Sequence, residues 1–424
     1  MIRQLLHLHN LNKNLHKSHQ EIKNTQFKLL KNIIKYSYYN IPYYNKTFKK
    51  FNINVNSINN FNDIEKIPIL TKKTIQSICK SEFISEENKY IIRQTSGSTG
   101  IPLEVYIDKR GSIIDEAIWT RALFKNGVKI FDKMAYFPNP HTIPNNIKWY
   151  RKIGIMKRKY ISVLDTPDDQ IEQLNEYKPD IIRSYPSYLV VLSNSNSKKI
   201  SVNPKMILTT AELLDIATRN KISNTFNSEI FDFYACEEMS LIAFECKEHN
   251  GYHINSDNLY LEIVNENASL GTEESGDIVC TTLNNHAMPL IRYKIGDIGK
   301  LSENKCTCDI NLPILKILEG RTDDFLRTTD GKYVSPRTIS DIFHFPSINN
   351  KGIYQFQIIQ EKSDLITFLL VVDEEYQNKE DIEISISNEI KKFLGNDMNL
   401  EFKFVSEIKK DKNKMRKIVS KLNT

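Results

Sequence analysis

No run of about 18 apolar residues occurs anywhere in the chain, so no membrane-spanning helix is expected. The opening MIRQLLHLHNLNKN has too short an apolar core and no small-residue cleavage site, and it does not read as a signal peptide. Cysteine is scarce. Six in 424 residues are too few for a disulfide framework, and a cytoplasmic setting with reduced thiols is expected. Internal repeats and low-complexity linkers are also missing, which excludes solenoids and arrays. No charge sign dominates: 58 Lys and Arg against 52 Asp and Glu leave +6. That balance suits an anionic substrate such as a nucleotide and gives no reason to expect nucleic acid. What is present is the composition of a globular protein, 40% hydrophobic and 26% charged. The length exceeds one ordinary core, so one large and one smaller domain are expected.

Residues 20–40 carry apolar positions at helical spacing, and Ile41-Pro42 ends the run. IIRQTSGSTGIPLEVYID then reads as strand, small-residue loop, strand. From 110 to 300, short apolar strands (133–137, 180–185, 205–210, 229–234) alternate with helical segments (168–176, 186–195, 212–226). That alternation predicts an α/β fold with mostly parallel sheets covered by helices. After Gly320 the texture changes. Strand-like YQFQII and LITFLLVV precede an amphipathic helix over 379–394 and a strand over 400–405, which reads as a small α+β domain.

The sharpest local feature is Thr95-Ser96-Gly97-Ser98-Thr99-Gly100. Its two glycines allow close backbone approach, and its hydroxyls and N–H groups can cradle phosphate oxygens. No Gly-Lys-Ser/Thr ends it, so it is not a Walker-type loop. By itself it could equally be a polar turn between strands.

Other segments resolve that choice. TSGSTG followed by Pro102 resembles the phosphate loop of the adenylate-forming superfamily. Tyr234-Ala235-Cys236-Glu237-Glu238 resembles its Tyr-Gly-x-Ser/Thr-Glu motif, and Arg292-Tyr293-Lys294-Ile295-Gly296-Asp297 its Arg-Tyr-x-x-x-Asp motif. Gly320-Arg321-Thr322-Asp323-Asp324 resembles its hinge, and Asn413-Lys414-Met415-Arg416 stands where the catalytic Gly-Lys-x-x-Arg falls. The N-terminal phrases Ile41-Pro42-Tyr43-Tyr44 and Ile67-Pro68-Ile69-Leu70-Thr71-Lys72 are similar to the phenylacetate–CoA ligase branch. Each motif is weak alone; five in order span nearly the whole chain.

The resemblance implies ATP-dependent conversion of a carboxylic acid to acyl-AMP, followed by transfer to coenzyme A. It implies that Thr95–Gly100 hold the leaving phosphates and that Glu238 ligates Mg²⁺, a hard cation suited to carboxylate oxygen. Tyr234 would lie beside adenine, with Ala211-Glu212 forming an adenine-proximal turn. Asp297 would accept both ribose hydroxyls, with Arg321 next to the same sugar. Lys414 would place a point charge on the carboxylate and α-phosphate. Arg183-Ser184-Tyr185-Pro186-Ser187 resembles a turn lining the acyl pocket, although Tyr185-Pro186 is also an ordinary helix start. Tyr136, Phe137 and Tyr185 permit an aryl or a medium acyl group. Asp297 and Arg321 could otherwise be a surface ion pair, and Lys414 one lysine of a basic tail. Ala235, Glu237 and Asn413 depart from the family pattern; Glu237 adds a charge near the phosphates, and Asn tolerates left-handed backbone.

Cys246-Lys-Glu-His249, with His253 close behind, and Cys306-Thr-Cys308 form two short chelating pairs on distant loops. That is the layout of a four-coordinate structural Zn²⁺ site, with either His249 or His253 as the fourth ligand. Part of the family has a similar pairing.

The expected organisation is a large adenylation domain over 1–320 and a small mobile C-terminal lid over 321–424, hinged at Asp323. The lid would turn between the two half-reactions. The chain would act as a monomer or homodimer. Transfer to an amine, such as an amino sugar in polysaccharide biosynthesis, or to a carrier thiol is an alternative. A non-catalytic nucleotide-binding zinc protein is a further one, against which Lys414, Glu238 and Asp297 argue.

Overall fold

Local rules set the first elements. Ser18 and Glu21 form a reciprocal capping box at the start of the helix His19–Asn40, which Ile41 and Pro42 end. Pro42 then opens the helix Pro42–Lys50 at its first position, where a missing N–H costs nothing. In this computed structural model, the described residues are 2–85, 90–95, 103–138, 148–195, 198–321, 325–334, 339, 342–344, 346–349, 351–373, 378–408 and 417–423. Two compact units emerge. One comprises Met1–Gly127 and Phe233–Leu318, the other Val128–Asp232 and Glu319–Thr424.

In the first unit, Tyr90–Gln94 and Glu104–Asp108 form an antiparallel hairpin. Asp108 caps the helix Lys109–Lys125 by accepting from the Gly111 N–H. The strands Leu259–Asn265, Ser275–Thr282 and Tyr293–Leu301 are consecutive antiparallel neighbours, as are Ser240–Glu245 and Tyr252–Ile254.

Two fully buried arginines lock this unit. Arg121 donates to both carboxylate oxygens of Asp257 at 2.6 and 2.9 Å and to the Leu11 carbonyl, holding the helix Ile2–Asn14 in place. Arg292 pairs with buried Glu262 at 3.1 Å and donates to the carbonyls of Glu65, Ile67 and Asn267. Arg292→Met is expected to destabilise the protein by about 3–5 kcal/mol, because Glu262 would be left charged and unpaired in the core. The double variant Arg292→Met, Glu262→Met should recover part of that loss in urea unfolding. No recovery would mean that the three carbonyl contacts, not the ion pair, carry the effect.

In the second unit, Met206–Thr210, Ile181–Ser184, Met134–Tyr136 and Arg158–Tyr160 lie side by side as parallel strands. The α/β class is as expected, but parallel pairing is concentrated here. The strands over 240–301 pair antiparallel, because short loops such as that between Glu245 and Tyr252 leave no room for a crossover. The helix expected over 212–226 starts only at Ile216, since the Asp215 side chain accepts from Thr218 N–H and caps it there. The same unit contains a four-stranded sheet ordered Asn399–Phe404, Leu365–Val372, Ile353–Lys362, Ile418–Ser420. The helix Lys379–Leu394 buries Ile382, Ile386, Ile390 and Leu394, a single stripe at four-residue spacing. Lys417 joins this sheet to the capping carboxylate of Asp215 at 2.8 Å. Among the described residues, no helix is long and apolar enough to cross a membrane.

Candidate functional site

The hairpin carries the phosphate-loop sequence between its strands. Thr95 N–H donates to the Leu103 carbonyl at 2.9 Å, and Leu103 N–H returns a bond to the Thr95 hydroxyl at 2.8 Å. The loop's two ends are thus pinned together; Ser96, Gly97, Ser98, Thr99 and Gly100 lie outside the described residues.

Tyr234 and Asp297, 63 positions apart, meet directly. The Tyr234 hydroxyl donates to Asp297 Oδ2 at 2.6 Å. Burial, then the Asp297 charge, raise the phenol pKa well above its ordinary value, so Tyr234 stays a proton donor and holds the carboxylate. Asp297 sits on a bulge. Asp277 faces Ile298 but Val279 faces Lys294, and Gly296 takes φ +96° between them. The bulge re-aims the side chain of a strand that would otherwise alternate regularly.

The bulged strand has struts that the sequence did not reveal. Leu70 N–H donates to the Arg292 carbonyl, and Lys294 N–H donates to the Leu70 carbonyl, each at 2.9 Å. The buried Tyr44 hydroxyl donates to the Pro289 carbonyl and accepts from Ile291 N–H, each at 2.9 Å. The phrases Ile41–Tyr44 and Ile67–Lys72 therefore support the Arg292–Asp297 segment. Glu238 is oriented by the Tyr293 hydroxyl at 3.1 Å, which leaves a half-buried carboxylate with hard oxygen donors for a cation.

In the second unit, Ala211 holds φ +68° immediately after its strand. Next to it, the Glu212 carboxylate accepts from both the Ser187 N–H and hydroxyl at 2.9 Å. This joins the two turns expected near adenine and acid, and Tyr185 is the N-cap residue of the helix Pro186–Ser193. Arg321 ends the strand Ile314–Arg321. Asp323 and Lys414 lie outside the described residues.

Cys246, His253, Cys306 and Cys308 bring their ligand atoms within 4.8 Å of one another. Cys246 and Cys306 sulfurs are 3.6 Å apart, and Cys308 Sγ is 3.2 Å from His253 Nε2. Tetrahedral Zn²⁺ would set these at about 3.8 and about 3.6 Å, given ordinary bond lengths; the donor set fits. Of the two histidines left open by spacing, His253 joins the cluster. Burial lowers its pKa to about 4, which keeps the imidazole neutral and ligand-ready. His249, at φ +47°, instead places Nδ1 3.4 Å from Glu245.

The CapK C-terminal domain family matches residues 326–421. Protein CapK of Staphylococcus aureus is 25% identical over 416 residues, covering 92% of this chain and 86% of its own. The phenylacetate-coenzyme A ligases of Thermus thermophilus and Escherichia coli are 23% and 24% identical, each alignment covering 72% of both chains. Among solved structures, 2-hydroxyisobutyryl-CoA ligase in the postadenylation state superposes with a TM-score of 0.79 at 15% identity. That match covers 96% of this chain and 91% of the other. In fold the chain is similar to adenylate-forming ligases, and in sequence it resembles phenylacetate-coenzyme A ligases and CapK.

Proposed function

We propose that this protein activates a small-molecule carboxylic acid with ATP and transfers the acyl group to coenzyme A. In the first step a carboxylate oxygen bonds to the α-phosphorus while the bond to pyrophosphate breaks. In the second the thiol sulfur bonds to the acyl carbon, AMP leaves, and the thiol proton passes to solvent. The observation that carries this reading is the Tyr234–Asp297 pair at 2.6 Å on a buttressed bulge, a rigid acceptor for a ribose diol. Thr95–Gly100 would receive the leaving phosphates, and Glu238 would hold a Mg²⁺ whose charge neutralises them. Ala211, Glu212 and Arg321 would frame adenine and ribose. The segment after about residue 320 would be the lid, hinged at Asp323 and carrying Lys414. Cys246, His253, Cys306 and Cys308 would hold a structural Zn²⁺. ATP and coenzyme A imply action in the cytoplasm.

The alternative acceptor is an amine or a carrier thiol in place of coenzyme A. The part assigned as lid, which meets the acceptor in this scheme, matches the CapK C-terminal domain, whose name states no acceptor.

Pyrophosphate release over a panel of carboxylic acids, with and without coenzyme A, tests both. Acid-dependent release with AMP formation stimulated by coenzyme A supports the first reading. Release that coenzyme A leaves unchanged, and amines accelerate, supports the second. No release with any acid sinks both.

Asp297→Ala is expected to weaken ATP binding by roughly 10- to 100-fold, since bonds to a charged acceptor are worth about 1.5–3 kcal/mol. Calorimetric titration checks this, and an unchanged affinity would place the ribose elsewhere.

A further inference from the structure

One face of the second unit sets exposed apolar tips among lysines, away from the residues used above. The strands Met134–Tyr136, Arg158–Tyr160 and Ile181–Ser184 start level, since Met134 lies opposite both Arg158 and Ile181. Residues 129–132 form the turn that leads into the first strand. The short helix Trp149–Lys152 and the turn after it lead into the second. The two approaches therefore meet at the amino ends of the parallel strands. Hydrogen bonds tie them together there: Met156 N–H donates to the Ile130 carbonyl at 2.6 Å, and Met134 N–H to the Lys157 carbonyl at 2.9 Å. Gly154 at φ +93° and Met156 at φ +50° reverse the chain between helix and strand. Open α/β sheets take ligands beyond the opposite, carboxyl ends of their strands. The acid-lining candidates Tyr136 and Tyr185 stand at or just beyond those ends.

The side chains at the amino-end face are costly to leave in water. Phe131 is 74% exposed, Ile153 63%, Trp149 59% and Ile130 47%. Single exposed apolar residues are ordinary, but four on two hydrogen-bonded approaches make a patch. Lysines accompany them: Lys129, Lys148, Lys152 and Lys157 are all exposed. Residues 133–164 contain seven Lys or Arg and no Asp or Glu. Of the acids near this end of the sheet, the Asp132 carboxylate accepts from the Lys129 N–H and pairs with Lys205. Asp180 accepts from the Lys133 N–H at 2.7 Å. The face is thus apolar at its tips and basic around them. A second copy of the chain is a poor match, because a two-fold interface would set lysines against lysines. The tips stand on turns and on a single helical turn, which suits a medium that yields around them. Aromatic rings favour the boundary between membrane and water. Lysine stems lie along apolar surface while their ammonium groups reach outward to charge.

We propose that this face docks the protein on a membrane surface rich in anionic lipid, without spanning it. Ile130, Phe131, Trp149 and Ile153 enter the headgroup region, and Lys129, Lys152 and Lys157 meet the lipid phosphates. Each half of the device is weak alone. A few apolar side chains bind a membrane marginally, and a few lysines are screened by salt. Together they add, because the same approach that buries the tips brings the cations within reach of the phosphates. The inference stands on this face alone and does not depend on the acid-activating function.

The test uses the whole protein and two kinds of vesicle, phosphatidylcholine alone and phosphatidylcholine mixed with phosphatidylglycerol, read by co-sedimentation. The mixed vesicles should bind it at least about 10-fold more tightly than the neutral ones, and added salt should narrow the gap. The double variant Lys152→Gln, Lys157→Gln should lower that binding roughly 25-fold, at about 5-fold for each cation near an anionic surface. Phe131→Ser should lower it roughly 10-fold through lost apolar burial. Melting temperatures should match the wild type, since all three side chains are exposed. Fluorescence decides the point in the unaltered protein. The chain has two tryptophans, and Trp119 is held in the first unit by its bond to the Ser240 hydroxyl at 3.2 Å. Trp149 should therefore shift to the blue on the mixed vesicles and be quenched by brominated lipid, and Trp149→Phe should lose both responses. Three results would overturn the proposal. The first is no binding to the mixed vesicles. The second is lysine-dependent binding with Trp149 unquenched, which is adsorption by charge alone. The third is a dimer in light scattering that Phe131→Ser abolishes, without vesicle binding, which would give the face to a second copy.

Discussion

Lys414→Ala is expected to slow acyl-adenylate formation by roughly 100- to 1,000-fold, the usual cost of removing one preorganised transition-state contact. ATP affinity should change by less than about 2-fold, because a charge that matters only as the α-phosphate is attacked lowers turnover and not ground-state binding. The placement rests on Asn413-Lys414-Met415-Arg416, which follows the pattern of a catalytic lysine segment. Just after it, Lys417 is held by Asp215 at 2.8 Å, and Ile418–Ser420 pairs with Ile353–Lys362. Lys414→Arg should not restore activity, since a planar fork does not reproduce a compact ammonium. Transfer from preformed acyl-AMP should survive the substitution, because that step does not need the attacking carboxylate to be steadied. Stopped-flow pyrophosphate release, followed by single-turnover transfer from synthetic acyl-AMP, separates the two. Near-normal adenylation would take Lys414 off the catalytic list. Loss of both steps would assign it a structural role.

Much of the fold was legible because local and global signals agreed. The helices His19–Asn40 and Lys379–Leu394 announce themselves through caps and a single apolar stripe. The strands Ile181–Ser184 and Met206–Thr210 are short apolar runs between turn residues. Strand direction was not legible, because an apolar run reads the same whether its neighbour is parallel or antiparallel. Nor was the bulge at Gly296 that turns Asp297 toward Tyr234, since a register shift depends on two strands at once. Arg292 illustrates the same limit: it looks like one residue of a nucleotide motif, but it is buried against Glu262 and three carbonyls. The choice between His249 and His253 needed the sheet. His253 sits in Tyr252–Ile254, opposite Phe244 on one side and Ile314 on the other.

One Zn²⁺ per chain is expected, held by Cys246, His253, Cys306 and Cys308, and the double variant Cys306→Ser, Cys308→Ser is expected to lose it. Three thiolates and one imidazole complete a tetrahedral shell with no open position, which is a structural site and not a water-activating one. Cys246 follows the strand Ser240–Glu245, and that strand pairs with Glu229–Cys236, which carries Tyr234. Cys306 and Cys308 lie beyond the strand Tyr293–Leu301, which carries Asp297. His253 stands on a strand paired with Ser240–Glu245. The metal would thus staple the ends of the strands that bring Tyr234 and Asp297 together. Without it, three thiols and a neutral imidazole share a small volume with only weak sulfur contacts between them. Binding to the folded site alone is folding free energy. Loss of about 3–5 kcal/mol, comparable to removing a native crosslink, would lower the melting temperature by roughly 5 °C at this size. ATP affinity should fall with the slackened Tyr234–Asp297 pair, while turnover of bound substrate changes less. Elemental analysis of protein purified without chelators or a metal-affinity tag reads the first outcome, and calorimetric melting reads the second. Zinc near zero in the wild type, with an unchanged melting temperature in the double variant, would leave the four residues as packed side chains and no more.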